Sequence, residues 1–142
     1  MKRFLVLVFL VLAVLGWAAP VTTPVTASPA TILWDPITKL GDGSAIPAGD
    51  TIAYELYMQP CTSAGVATGT ATLVATVTSG TGSLVLAVEG WYVVGVRTKR
   101  TLSGSGSVVF SDYAWSQVVG SPNPWFLAYN KAPSIPQNLR MQ

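Results

Sequence analysis

The apolar positions divide this chain into two unlike parts. Phe4 to Leu15 is an unbroken run of twelve apolar residues, whereas beyond about residue 20 the apolar stretches are short and interrupted by Gly, Pro, Ser and Asp. Alternation with period two, without helical spacing, is what half-buried strands require, and several such runs between turn residues predict an all-β sandwich or barrel. Ala30 to Trp34 is the first clear strand, with Ala30, Ile32 and Trp34 on one face. Pro36 ends it, because proline has no amide hydrogen to give a ladder. Lys39 to Asp50 is rich in Gly and Asp and contains Pro47, which predicts a long loop. Thr51 to Met58 follows, placing Tyr54, Leu56 and Met58 on one face and Glu55 on the other.

Thr70 to Thr78 is the next strand, and Ser79-Gly-Thr-Gly82 is a tight connection into Ser83 to Val88. Glu89-Gly90 turns the chain into its best strand, Trp91 to Lys99. There Tyr92, Val94, Val96 and Thr98 point one way, and Val93, Gly95, Arg97 and Lys99 the other. Thr101 to Gly106 is a polar loop, and the last strand falls between Ser107 and Val119 with an irregularity near Ser111-Asp112.

The opening run has the composition of a signal-peptide helix. Lys2 and Arg3 precede it, and Gly16-Trp17-Ala18 supplies small residues where a signal peptidase cuts, so cleavage is expected between Ala18 and Ala19. The other reading is an uncleaved anchor, but spanning hydrocarbon takes roughly 20 apolar residues and this run is shorter. Membrane contact is thus expected only through this segment, if it is retained. The chain is expected to be secreted, periplasmic or on the cell surface. Residues 1–18 are then the leader, 19–120 one domain, and 121–142 a C-terminal extension.

Charge narrows the function classes. Of the eight basic residues two lie in the leader, leaving six against six acids, so the exported part is neutral and offers no basic stripe for nucleic acid. The chain has no His and one Cys, which removes Cys–His nucleophilic catalysis and ordinary zinc sites. Asp35, Asp42, Asp50, Glu55, Glu89 and Asp112 are scattered, without the facing pair that a glycosidase needs. Asp42 and Asp50 flank a Gly-rich loop, where turn chemistry accounts for them better than a calcium site does. We therefore expect no enzyme, metal or cofactor. Cys61, after Pro60 at a strand end, is expected near the surface, either as an incidental thiol or for pairing between molecules. Arg97, Lys99 and Arg100 are read as side chains on a solvated strand face, with an anionic partner as the alternative.

Five features in order resemble fibronectin type III domains of the bacterial exported type. These are Trp34 before Asp35-Pro36, Leu86 six residues before Tyr92, and Val94 and Val96 in alternation after it. Asp42 to Pro47 with Tyr54-Glu-Leu-Tyr57, and Ser111 to Val118, complete the set. The resemblance covers roughly residues 24 to 120 and implies an immunoglobulin-like, two-sheet antiparallel sandwich behind the leader. It also implies that Trp34 fills the space between sheets and that the Tyr92 hydroxyl ties back to backbone at a corner. The opening strand is abbreviated to Val21–Ser28, while Ala132 to Met141 looks like the opening strand of a further domain, cut short.

That tail and the surface tryptophans are the interaction candidates. Gln137, Asn138, Leu139, Arg140 and Met141 could add as a strand to an open sheet edge on a neighbour, or be a vestige lying on the surface. Trp91, Trp115 and Trp125 could contact protein or an extracellular glycan, unless Pro122 to Tyr129 folds back over a sheet face. The expectation is a non-catalytic interaction or assembly module with protein partners, self or neighbour, and the alternative is a carbohydrate-binding module.

Overall fold

The structure is a computed structural model, and it describes residues 20–117 and 124–133. The leader and the tail from Ser134 onward lie outside the described residues. Nine strands form: β1 Val21–Val25, β2 Ala30–Leu33, β3 Thr51–Cys61, β4 Thr72–Val77, β5 Thr81–Leu84, β6 Gly90–Thr101, β7 Val108–Phe110, β8 Ala114–Trp115 and β9 Trp125–Tyr129. No helix occurs among the described residues, so none is long and apolar enough to cross a membrane. The strands make a large sheet in the order β1-β9-β6-β3-β4, with β7 and β8 also on β6, and a small sheet of β2 and β5. This is the arrangement of a β-sandwich.

The long alternating runs become the central pair, β3 and β6, antiparallel from Thr51↔Thr101 to Cys61↔Trp91. Residues opposite each other share a face, so Leu56, Tyr92 and Val94 all point at the small sheet. They meet Ile32, Leu84, Leu86, Leu127 and Tyr129 in one buried cluster. Leu56 is fully buried at its centre; burying a leucine side chain stabilises the fold by about 1.5–3 kcal/mol. Trp34 is half-buried against this cluster and meets Tyr54 edge-on, ring centroids 5.7 Å apart. The Tyr92 hydroxyl donates to the Val88 carbonyl at 2.7 Å, the backbone tie expected of a corner tyrosine.

The antiparallel expectation needs correction at one edge. β1 pairs with β9 in parallel, from Val21↔Trp125 to Val25↔Tyr129, so the large sheet is mixed. Parallel neighbours need a long connection, and here nearly the whole domain separates the two. Beside β6, the expected final strand is divided into β7 and β8, with the break at Ser111–Tyr113. Serine hydroxyls take the place of ladder acceptors there: Thr98 N donates to Ser111 Oγ at 2.9 Å and Val94 N to Ser116 Oγ at 3.1 Å. β9 then joins β6 at Gly90–Tyr92. Part of the segment assigned to the extension is thus an internal strand of the sheet, and Pro124 to Tyr129 do not simply cover a face.

A second cluster lies on the other face of the large sheet, where Cys61, Val93 and Phe126 pack with Ala67 and Trp115. Cys61 is therefore buried, contrary to the surface position expected from its place after Pro60. The turn after it folds over the sheet: Gly65 has φ of +76°, and a Cβ there would come within 2.8 Å of the Phe126 ring. Burial pushes the Cys61 thiol above its ordinary range, which suits an inert core residue rather than a partner in a disulfide between molecules.

Candidate functional site

Two surfaces of this sandwich carry features beyond packing. The first is the outer face of the large sheet, where β3 and β6 place Glu55, Tyr57 and Arg97 side by side. Arg97 bonds Glu55 through Nε at 2.8 Å and Nη2 at 2.7 Å, and the Tyr57 hydroxyl donates to the same carboxylate oxygen at 2.7 Å. The Arg97 guanidinium also lies 4.0 Å from the ring centroid of Phe110 and 5.1 Å from that of Tyr113. Tyr113 stacks on Trp115 with centroids 5.4 Å apart and 26° between planes. Trp115 in turn lies flat on Gly95, where an added Cβ would come within 2.6 Å of the indole.

This is an aromatic shelf braced from beneath by a charged network. Two of the three cations of the Arg97, Lys99, Arg100 cluster are engaged: Arg97 pairs with Glu55, and Arg100 pairs with Asp50 at 2.6 Å. Asp50 also accepts from the Ser103 amide at 3.0 Å, and Asp42 accepts from the amide and hydroxyl of Ser44, so both loop aspartates are occupied by turn and pair chemistry. Among the described residues no group of three His, Cys, Asp or Glu could hold a metal ion.

Burial alone would raise the Glu55 carboxyl, but the bonds from Tyr57 and Arg97 outweigh it and hold it below its ordinary value of 4.5. At Asp50 the Ser103 amide, then Arg100, likewise lowers the carboxyl. Burial first, and then the bond to Glu55, pushes the Tyr57 phenol well above its usual range. A carboxylate lowered by folding contributes stability that is complete above its unfolded value and is lost as pH falls through the folded one. Urea midpoints should accordingly hold above about pH 5 and drop steeply below pH 4. Glu55→Gln should flatten that drop; an equally steep profile in the variant would show that the network contributes nothing.

The second surface is the free edge of β2. Trp34 N donates to Gly80 O at 2.9 Å, which fixes the phase of the ladder to β5. Ala30, Ile32 and Trp34 then aim their backbone groups at β5, so those of Thr31 and Leu33 aim outward. β2 has no other strand neighbour among the described residues. Beside it opens an apolar cleft of about 320 Å³, lined among others by Thr23, Val25, Ile32, Leu33, Trp125 and Leu127. Leu33 at its rim is 76% exposed.

Open edges invite pairing and are usually blunted by prolines or bulges. Two edges of the large sheet are: β1 contains Pro24, and the β3–β4 register slips between Leu56 and Tyr57, leaving Val74 as an extra residue on β4. Among the described residues β7, which pairs only with β6, and the outer side of β5 are open as well. β2 itself holds neither a proline nor a bulge, but it is only four residues long and follows Pro29.

The expected interaction residues do not form one site. Trp91 is 45% exposed on the outer face, and Trp115 is half-buried there beneath the shelf. Trp125 is half-buried against the inter-sheet core and lines the cleft instead. Gln137, Asn138, Leu139, Arg140 and Met141 lie outside the described residues. Sequence reasoning missed Phe110, Tyr113 and Tyr57 as companions of Arg97; the parity of β3 and β6 was the only signal that could have found Tyr57. It also missed the β2 edge, since which strand is left unpaired has no local signature. No family model, curated protein or solved structure matches the chain.

Proposed function

We propose that this chain is an exported, non-catalytic interaction module of the fibronectin type III kind, which accepts an extended polypeptide on the free edge of β2. The observation that carries the reading is the unpaired β2 edge beside an open apolar cleft. An added strand would gain main-chain bonds from the outward groups of Thr31 and Leu33, and every second side chain would enter the cleft. The Tyr92 tie supports the family resemblance. The leader supports export, and the absence of histidine in the sequence argues against the commonest acid–base chemistry.

Selection of random decapeptides displayed on phage against the immobilised chain tests this. Binders should alternate apolar and polar residues and lose roughly tenfold or more in affinity with Thr31→Pro, which removes an outward amide but no bond to β5. A selection that yields no binder dependent on Thr31 would overturn the reading.

The stacked Tyr113–Trp115 pair, with Tyr113 39% exposed, favours one second reading: a platform on which sugar rings stack. Tryptophan emission that shifts on titration with cello- or xylo-oligosaccharides, and no longer does so in Tyr113→Ala, would support it.

A further inference from the structure

We infer that the cleft between the loop after β2 and the β6–β7 pair binds a small apolar molecule that carries a carboxylate. This site is separate from the β2 edge and does not rest on it.

The cleft exists because the small sheet covers only part of the large one. Ile32 of β2 and Leu84 of β5 meet Leu56, Tyr92 and Val94 in the shared core. Farther along β6, at Thr98 and Arg100, the facing wall is the loop segment Ile37–Gly41 instead. Residues opposite each other share a face, so Tyr54, paired with Thr98, and Val109, paired with Arg100, lie on this inner side. The Tyr54 hydroxyl accepts from the Ile37 amide at 2.9 Å and so holds the loop over the sheet. The loop is also closed on itself, by Leu40 N donating to Ser44 O at 2.9 Å and by a bridge between Lys39 and Ala45. Both walls are thus formed in advance, as small-molecule sites usually are.

Size and lining name the ligand class. The space is about 420 Å³, within the roughly 300–1,000 Å³ of small-molecule sites. Ile37, Leu40 and Val109 make its lining apolar, and Val109 is left 51% exposed. Covering that surface with an apolar group removes it from water. The charged lining residues are of one sign, Lys39 and Arg100. Arg100 is committed to Asp50 at 2.6 Å, and Asp42 at the loop tip to the amide and hydroxyl of Ser44. Lys39 has no ion-pair partner among the described residues. One uncommitted ammonium at an apolar cleft matches a monoanion on an apolar body, and suits a carboxylate better than a doubly charged phosphate. The cleft beside β2 is the contrast, since no charged residue is among its lining.

Titration of the chain with octanoate, octan-1-ol and octylammonium, followed by amide chemical shifts, tests this. Octanoate should shift the amides of Ile37, Leu40, Thr98 and Val109 saturably, and bind about threefold or more tighter than the alcohol, as one exposed ion pair allows. Octylammonium should bind more weakly than either. Lys39→Glu, at an exposed loop residue, should weaken octanoate roughly fivefold or more and leave the alcohol within about twofold. Val109→Trp should fill the cleft and abolish binding of all three; should it disturb β7, Leu40→Trp fills the space from the opposite wall. Octanoate that binds no better than the alcohol, or is indifferent to Lys39→Glu, would overturn the inference. So would shifts centred on Thr31 and Leu33, which would place the acid in the other cleft.

Discussion

Truncation of Leu56 to alanine should lower the free energy of unfolding by about 3 kcal/mol, within a range of roughly 2–5 for buried leucines. For a domain of this size that corresponds to roughly 10–20 °C in Tm. The size of the effect follows from position. Leu56 is fully buried in the central strand β3, facing the small sheet in the one cluster that both layers share. Its Cδ2 lies 3.0 Å from where a Cβ on Gly82 of β5 would sit, so the two layers touch at this point. Truncation leaves a cavity that neither strand can close without breaking its ladder. Leu33→Ala is the internal control: the same chemistry at a residue with three quarters of its surface in water should change stability by no more than about 0.5 kcal/mol. Urea unfolding of both variants checks the pair, and equal effects would mean that the two layers do not enclose a common core.

Gly95→Ala should cost about 1–3 kcal/mol, a large effect for adding one methyl group. Gly95 lies in the middle of β6, and the indole of Trp115 occupies the space a Cβ would take, with ring atoms 2.6 Å from it. The obstacle is a flat ring held on its other side by Tyr113, so it can yield only by leaving the shelf. The near-ultraviolet circular dichroism arising from the Tyr113–Trp115 pair should fall together with stability. Gly104→Ala, in a loop where nothing lies within 4 Å, should be neutral by both measures. An unaltered aromatic spectrum in Gly95→Ala would mean that the shelf does not rest on β6. The same variant bears on function, because loss of the shelf should abolish any sugar response and leave peptide binding at β2 intact.

Much of the fold was legible as periodicity. The parity of Tyr92, Val94 and Val96 against Val93, Gly95 and Arg97 holds along β6, and Ile32 turns inward while Leu33 turns out. The irregularity near Ser111-Asp112 separates β7 from β8 as expected. What escaped was each feature set by partners distant along the chain. Glu55 was assigned correctly to the outer face but not foreseen as buried, because its cover, Arg97 with the aromatic rings around it, is 42 residues away. Cys61 looked exposed because nothing beside Pro60 announces that Phe126 will lie against it.

The sequence by itself determined β2, β3, β4 and β6 as strands and the apolar side of the central pair, because alternation is local and a one-residue slip would turn the core out to water. β5 instead spans Thr81–Leu84 rather than Ser83–Val88, and β9 lies in the segment read as an extension. The sequence determined as well the tie from Tyr92 to Val88, which spans only four residues. Only the tertiary structure decided that β9 enters the sheet between β1 and β6, that β1 runs parallel to it, and that β2 keeps an open edge. Strand order depends on which backbone groups find partners across the whole chain, and backbone groups are chemically alike in every strand. No local pattern of side chains encodes that choice.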